Sequence, residues 1–202
     1  MPRVAGQIDR AKSEAILDAA LEVMAERGVA GAIEEIARRA GVSKQTIYNH
    51  YGSKAGLVQA LCQRRVAEMT APLEAPDAVE RPQEALAGFA RVLLQTVLNP
   101  SRFTLMRIAM QGAAEMPEVG RATFEAGPRA NRRKLADFIA LEAAAGRLHA
   151  PDAMQAAEFF AGMVIGSFQM AVLLGVDPEV DEARAEAVAR EAAARFMRAY
   201  AP

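Results

Sequence analysis

Between Ile33 and Tyr51 the sequence leaves the backbone little choice. Two short stretches of helical spacing, one from about Ile33 to Ala40 and one opened by Ser43, are separated only by Gly41 and Val42. Helices joined so tightly must cross steeply. The crossing needs a small residue at the contact and a turn residue that accepts positive φ. Ala37 and Gly41 meet those needs. Ile36, Ala40, Val42, Ile47 and Tyr51 then supply a small core that fixes the angle. With Ile47 and Tyr51 turned inward, the helical step of about 100° aims Gln45 and Asn49 outward, flanked by Thr46 and Tyr48.

Helical spacing extends over the rest of the chain, and no strand-like alternation of useful length appears. Of 202 residues, 52% are apolar and only 5% aromatic, with no Trp; Ala, Leu, Glu and Arg dominate. That mix favours an all-α fold of about nine helices. Asp9 can cap a first helix that buries Ile16, Ala20, Val23 and Met24 and ends at Gly28. Ser53 caps a fourth helix reaching towards Thr70, and Pro72, Pro76 and Pro82 mark a loop. Further helices are expected at Gln83–Leu98, Ser101–Glu115, Pro117–Ala145 (interrupted near Gly127-Pro128), Asp152–Leu174 and Glu182–Tyr200.

Net charge is −1, but its distribution is uneven. From Ile36 to Ala67 there is no Asp or Glu, whereas Arg38, Arg39, Lys44, Lys54, Arg64 and Arg65 all fall there. A local basic stretch in a near-neutral chain is the footprint of a surface that meets phosphate. The outward amide, hydroxyl and phenol groups can read base edges, and Lys44, His50 and Lys54 at the margins suit phosphates. A helical protein-binding adaptor would explain the helices, but not the acid-free stretch with outward Gln45 and Asn49.

Other classes find little support. Gly52-Ser53-Lys54 lacks the preceding glycine and strand of a phosphate-binding loop, and no serine elbow or dinucleotide fingerprint occurs. The two histidines, His50 and His149, lie far apart, so no enzyme, cofactor or metal site is expected. Cys62 is the single cysteine and reads as an inert core thiol. Phe159 to Val176 carries no charge and approaches membrane-spanning length, but Gly162, Gly166, Ser167 and Gln169 within it favour a helix buried in protein. Met1 to Lys12 holds no apolar signal-like run, which points to the cytoplasm.

Ile16-Leu17-Asp18-Ala19-Ala20-Leu21, Arg27-Gly28, Ile36-Ala37, Ala40-Gly41-Val42-Ser43-Lys44, Thr46-Ile47-Tyr48, His50-Tyr51 and Gly52-Ser53-Lys54 together resemble the DNA-binding domain of TetR-family transcriptional regulators. The resemblance implies a helix-turn-helix domain over residues 1–53 and a helical regulatory and dimerisation domain over 54–202. It implies base contacts from Lys44, Gln45, Thr46 and Asn49, and phosphate contacts from Ser43, Tyr48, His50 and Lys54. The implied protein is a homodimeric repressor on a palindromic duplex operator, released by a small effector; an activator with the same DNA-binding domain is the alternative. The family's usual Ser or Thr at the start of the second helix is replaced by Gly31-Ala32, which puts one phosphate contact in question. Glu34 and Glu35 suit that helix's dipole and are expected to point away from DNA.

The C-terminal half is similar to the efflux-repressor branch at Glu125-Ala126-Gly127-Pro128, Gly146-Arg147-Leu148 and the helix with Phe159, Phe160, Gly162 and Gly166. Gly162 and Gly166, one turn apart with Met170 following, form a small-residue strip suited to close helix approach at a twofold interface. Phe103, Met106, Met110, Phe124, Phe159 and Met163 are the candidates to line a pocket for a small, apolar effector.

Overall fold

The computed structural model describes residues 10–28 and 33–202, with the backbone alone at 100–102. The expected cap at Asp9 and the Gly31-Ala32 departure lie outside the described residues. The chain forms α1 (Arg10–Arg27), α2 (Ile33–Arg39), α3 (Lys44–Tyr51), α4 (Lys54–Thr70), a 3₁₀ turn (Ala71–Glu74), α5 (Pro82–Leu98), α6 (Pro100–Gly112), α7 (Pro117–Phe124), a π turn (Glu125–Arg129), α8 (Ala130–Ala144), α9 (Ala153–Ile165), α10 (Phe168–Leu173) and α11 (Glu182–Ala199). With α7, the π turn and α8 counted as one, ten helices result among the described residues, nine of seven or more residues, and no strand. The fold is all-α.

One expected boundary is met and one is corrected. The interruption expected near Gly127-Pro128 takes the form of the π turn between α7 and α8, which accommodates a proline whose missing N–H and bulky ring an α turn cannot. The uncharged stretch expected as one helix over Asp152–Leu174 is split into α9 and α10. Gly166 ends α9 at φ +48°, its N–H donating to the Gly162 carbonyl at 2.9 Å. The glycine read as part of a packing strip is a helix stop. No helix among the described residues is long and apolar enough to cross a membrane.

Contacts divide the chain into two compact units, residues 1–64 with 104–127, and 65–103 with 128–202. The expected boundary at 53/54 is drawn differently from these. In the first unit, Ile16, Ala20, Val23 and Met24 of α1, Ile36 and Ala37 of α2, Ile47 of α3 and Leu57, Val58 and Leu61 of α4 make one buried cluster, joined by Ile108, Val119 and Ala126. Cys62 belongs to it, and burial pushes its thiol pKa up to about 12. That thiol stays protonated and chemically quiet.

In the second unit, α9 packs against α5, α8 and α11, and α11 lies along α5. Alanines make this possible: Ala156, Ala157 and Ala161 on α9 and Ala189 and Ala193 on α11 are all buried, so the backbones approach closely. Phe160 fills the centre, with Phe196 edge-on at 5.2 Å and Phe89 at 6.2 Å between ring centroids. At the end of α8 the fully buried Glu142 accepts two hydrogen bonds from Arg147, Nε at 2.6 Å and Nη2 at 3.0 Å. Gly146 (φ +73°) turns the chain to bring that guanidinium back.

Candidate nucleic-acid interface

The eight residues of α3 are too few to hold a helix alone. Ser43 caps it, its Oγ accepting from the Thr46 N–H at 3.0 Å, and Ile47 is its single buried residue. Gly41 takes φ +65° in the turn before it. Tyr51, half-buried at the far end, shares a hydrogen bond with Ser13 Oγ at 3.0 Å, which ties α3 to α1. Gly56 is also required: a Cβ there would lie 2.0 Å from the Tyr51 carbonyl oxygen. Both ties escaped the sequence reading. A glycine in the first turn of a helix was the available signal for the second; the first joins residues 38 apart and left none.

The outward face matches the expected one. Ser43, Lys44, Gln45, Tyr48, Asn49 and His50 are exposed, and Thr46 and Lys54 half-buried. Gln45 Nε2 donates to Asn49 Oδ1 at 2.7 Å, so the two amides form one edge with donors and acceptors left over. Lys44 Nζ lies 5.8 Å from the Tyr48 ring centroid, and His50 packs edge-on against Tyr51 at 4.5 Å.

Its electrostatics differ from the linear pattern. Carboxylates from flanking segments answer most of the cations in the acid-free stretch. Arg64 pairs with Glu14 at 2.9 Å and Asp18 at 2.7 Å, Arg65 with Glu68 at 2.6 Å, and Arg38 with Glu35 at 2.6 Å. Arg39 bridges Glu35 and Glu26, joining α2 to α1. Hydrogen bonds from Arg38 and Arg39 hold the Glu35 pKa down to about 2. Glu34 reaches across to α3. It pairs with Lys44, whose hydrogen bond lowers the Glu34 pKa. Lys54 alone of the six has no carboxylate at ion-pair distance among the described residues.

The remaining candidates are dispersed. Phe103 is buried and Met106 half-buried, while Met110 (54%), Phe124 (54%), Phe159 (57%) and Met163 (43%) are exposed. Phe103, Phe159 and Met163 belong to one unit, and Met106, Met110 and Phe124 to the other. Gly162, Gly166 and Met170 are all exposed on α9 and α10, beside Phe159 and Met163.

Comparison with known proteins meets this geometry from two sides. Residues 16–61 match the family described as bacterial regulatory proteins, TetR family, and residues 84–202 match the C-terminal domain described as AefR-like transcriptional repressor. The transcriptional repressor Rv3405c of Mycobacterium tuberculosis is 33% identical over 132 residues, 63% of this chain and 68% of that protein. The solved structure of the flavonoid-responsive regulator FrrA superposes with a TM-score of 0.72 at 30% identity, covering 95% of this chain and 97% of that one. A TetR-family regulator from Mesorhizobium loti shares the fold with a TM-score of 0.76 at 24% identity, over 96% and 100% of the two chains. The chain spans only 34%, 24% and 54% of three other curated relatives. A matching C-terminal domain over more than half the chain, behind a helix-turn-helix that matches in its own right, places this protein in the TetR family of bacterial transcriptional regulators.

Proposed function

We propose that this protein is a sequence-specific DNA-binding repressor, acting in the cytoplasm as a homodimer and released from a palindromic operator by a small, apolar effector. Residues 1–53 read the DNA, and residues 54–202 dimerise and bind the effector. The protein works by binding and catalyses nothing. One observation carries the reading: α3, pinned by Ile47 and capped by Ser43, presents the linked amides of Gln45 and Asn49 outward, with Lys44, His50 and Lys54 beside them. The family's AefR-like repressor description and the M. tuberculosis repressor support repression over activation. FrrA, named as flavonoid-responsive, is in keeping with a small, largely apolar effector. Such a molecule acts only through its preference for the conformation that does not bind DNA.

Site selection from a random duplex library, followed by anisotropy titrations across salt, tests this. Asn49→Ala should flatten base preference at one or two positions, since a good bidentate amide contact carries about 1–3 kcal/mol of discrimination. Lys54→Ala should instead weaken binding to all sequences alike and reduce the salt slope by about 0.9. A wild-type protein that enriches no site would refute the reading.

For the dimer, the decisive position is Gly162. Gly162 is exposed, a Cβ there meets nothing within 4 Å and its φ is ordinary, so a side chain can be added in one copy and leucine there should obstruct a second. Gly166 is a poorer probe, because its positive φ strains any side chain. Gly162→Leu should overpack the twofold contact by about 1–3 kcal/mol and shift sedimentation towards monomer. Operator binding should fall with it, because half-sites about 34–36 Å apart need both copies. A full dimer in this variant would move the interface elsewhere.

A further inference from the structure

Glu34 is the second residue of α2, and its carboxylate is 62% exposed beside the 50% exposed Lys44 that opens α3. Its neighbour Glu35 is 15% exposed and spent on Arg38 and Arg39. Of two adjacent acids, one braces α2 and the other stands on the face that α3 presents. The dipole of α2 favours an acid at this place, but so exposed a pair with Lys44 adds little to stability.

We propose that Glu34 and Lys44 act as one unit that reads a single G·C base pair in each half-site, which makes Glu34 a specificity-determining residue; this rests on the DNA-binding reading above. The chemistry is complementary. In the major groove a G·C pair sets the O6 and N7 acceptors of guanine beside the N4 amino donor of cytosine. An ammonium and a carboxylate already side by side supply the matching donor and acceptor. Lys44 turns to guanine, and Glu34 accepts from cytosine N4. An A·T pair places its donor and acceptors differently, and a phosphate offers the carboxylate nothing. Away from its site, Lys44 must therefore leave Glu34 to reach phosphate while an unanswered carboxylate faces the polyanion. The same residue that reads the base pair weakens generic binding. The Lys44 hydrogen bond, more than the charge of Lys54, lowers the Glu34 pKa and favours the ionised carboxylate that this reading needs.

The test uses the full chain in two measurements. Site selection with wild type should return one strongly preferred G·C pair per half-site whose preference is lost or altered in Glu34→Gln. Anisotropy on a random-sequence 30-base-pair duplex should show Glu34→Gln binding several-fold more tightly at low salt, with a slope steeper by about 0.9 as Lys44 reaches phosphate. In a Lys44→Gln background the added slope should vanish. Glu34→Asp keeps the charge but shortens the reach. It should lose the G·C preference while keeping the wild-type slope, which separates reading from charge. Selection of the same site by Glu34→Gln overturns the proposal whatever the slope does. Failure of the DNA-binding reading shows separately, as a wild-type chain that enriches no site at all.

Discussion

Phe160→Ala is expected to cost about 3–5 kcal/mol of stability and lower the melting temperature by on the order of 10 °C. Phe160 is fully buried on α9, with Phe89 of α5 on one side and Phe196 of α11 on the other, and Phe196 stacks on Tyr200 at 4.5 Å. Removing its ring takes away one member of a chain of aromatic contacts that joins three helices. The site is poorly able to collapse. Other buried residues of α9 and α11 include Ala157, Ala161, Ala189 and Ala193, whose side chains have nothing to extend into a void. Closing the cavity would require whole helices to move, and close-packed interiors resist that. Urea denaturation followed by circular dichroism measures the loss. A decrease below about 1 kcal/mol would show that the three helices hold together without the aromatic cluster.

Phe159 and Phe160 also show where sequence reading stops. Both sit in an uncharged stretch, and composition gives no reason to prefer one. In the fold Phe159 is 57% exposed and Phe160 is fully buried. The difference is one helical step, set by packing partners on α5 and α11 that lie far away in sequence. The helix-turn-helix was legible because its determinants are local: Ala37, Gly41, Ser43, Ile47 and Tyr51 fall within 15 residues of one another, and each has a conformational reason to be there. The outward placement of Gln45 and Asn49 followed from geometry alone. The charge pattern pointed to the function but did not reveal the ion pairs, some within one helical turn and others between helices. The stretch from Ile36 to Ala67 contains no acid, yet Glu14, Asp18, Glu26, Glu34 and Glu35 reach back into it from outside. The helix break at Gly166 was missed for a related reason. A glycine one turn after another suits either close helix contact or a helix stop, and only the backbone conformation decides between them.

Ile47→Ala should weaken operator binding ten- to hundred-fold without removing any of the exposed side chains proposed to meet DNA. Ile47 is 1% exposed and is the one buried side chain of α3, set into the cluster that α1, α2 and α4 build. Truncating a buried isoleucine to alanine costs about 2–5 kcal/mol. That loss falls on an eight-residue helix whose remaining ties are the Ser43 cap and the Tyr51 hydrogen bond to Ser13. A helix of two turns has no independent stability, so losing its anchor should let α3 open locally before the unit unfolds. Binding then carries the added cost of re-forming it, which multiplies the apparent dissociation constant by the inverse of the folded fraction. A penalty of about 3 kcal/mol confined to α3, less the margin by which the helix was stable, accounts for a ten- to hundred-fold loss. Gln45→Ala is the contrast: exposed on the same helix, it should leave stability unchanged and alter only which sequences are preferred. Amide hydrogen exchange separates the two, with faster exchange across residues 44–51 in Ile47→Ala and unchanged protection in Gln45→Ala. Unchanged protection and operator affinity in Ile47→Ala would mean that α3 is held by its cap and the Tyr51 tie rather than by its buried side chain.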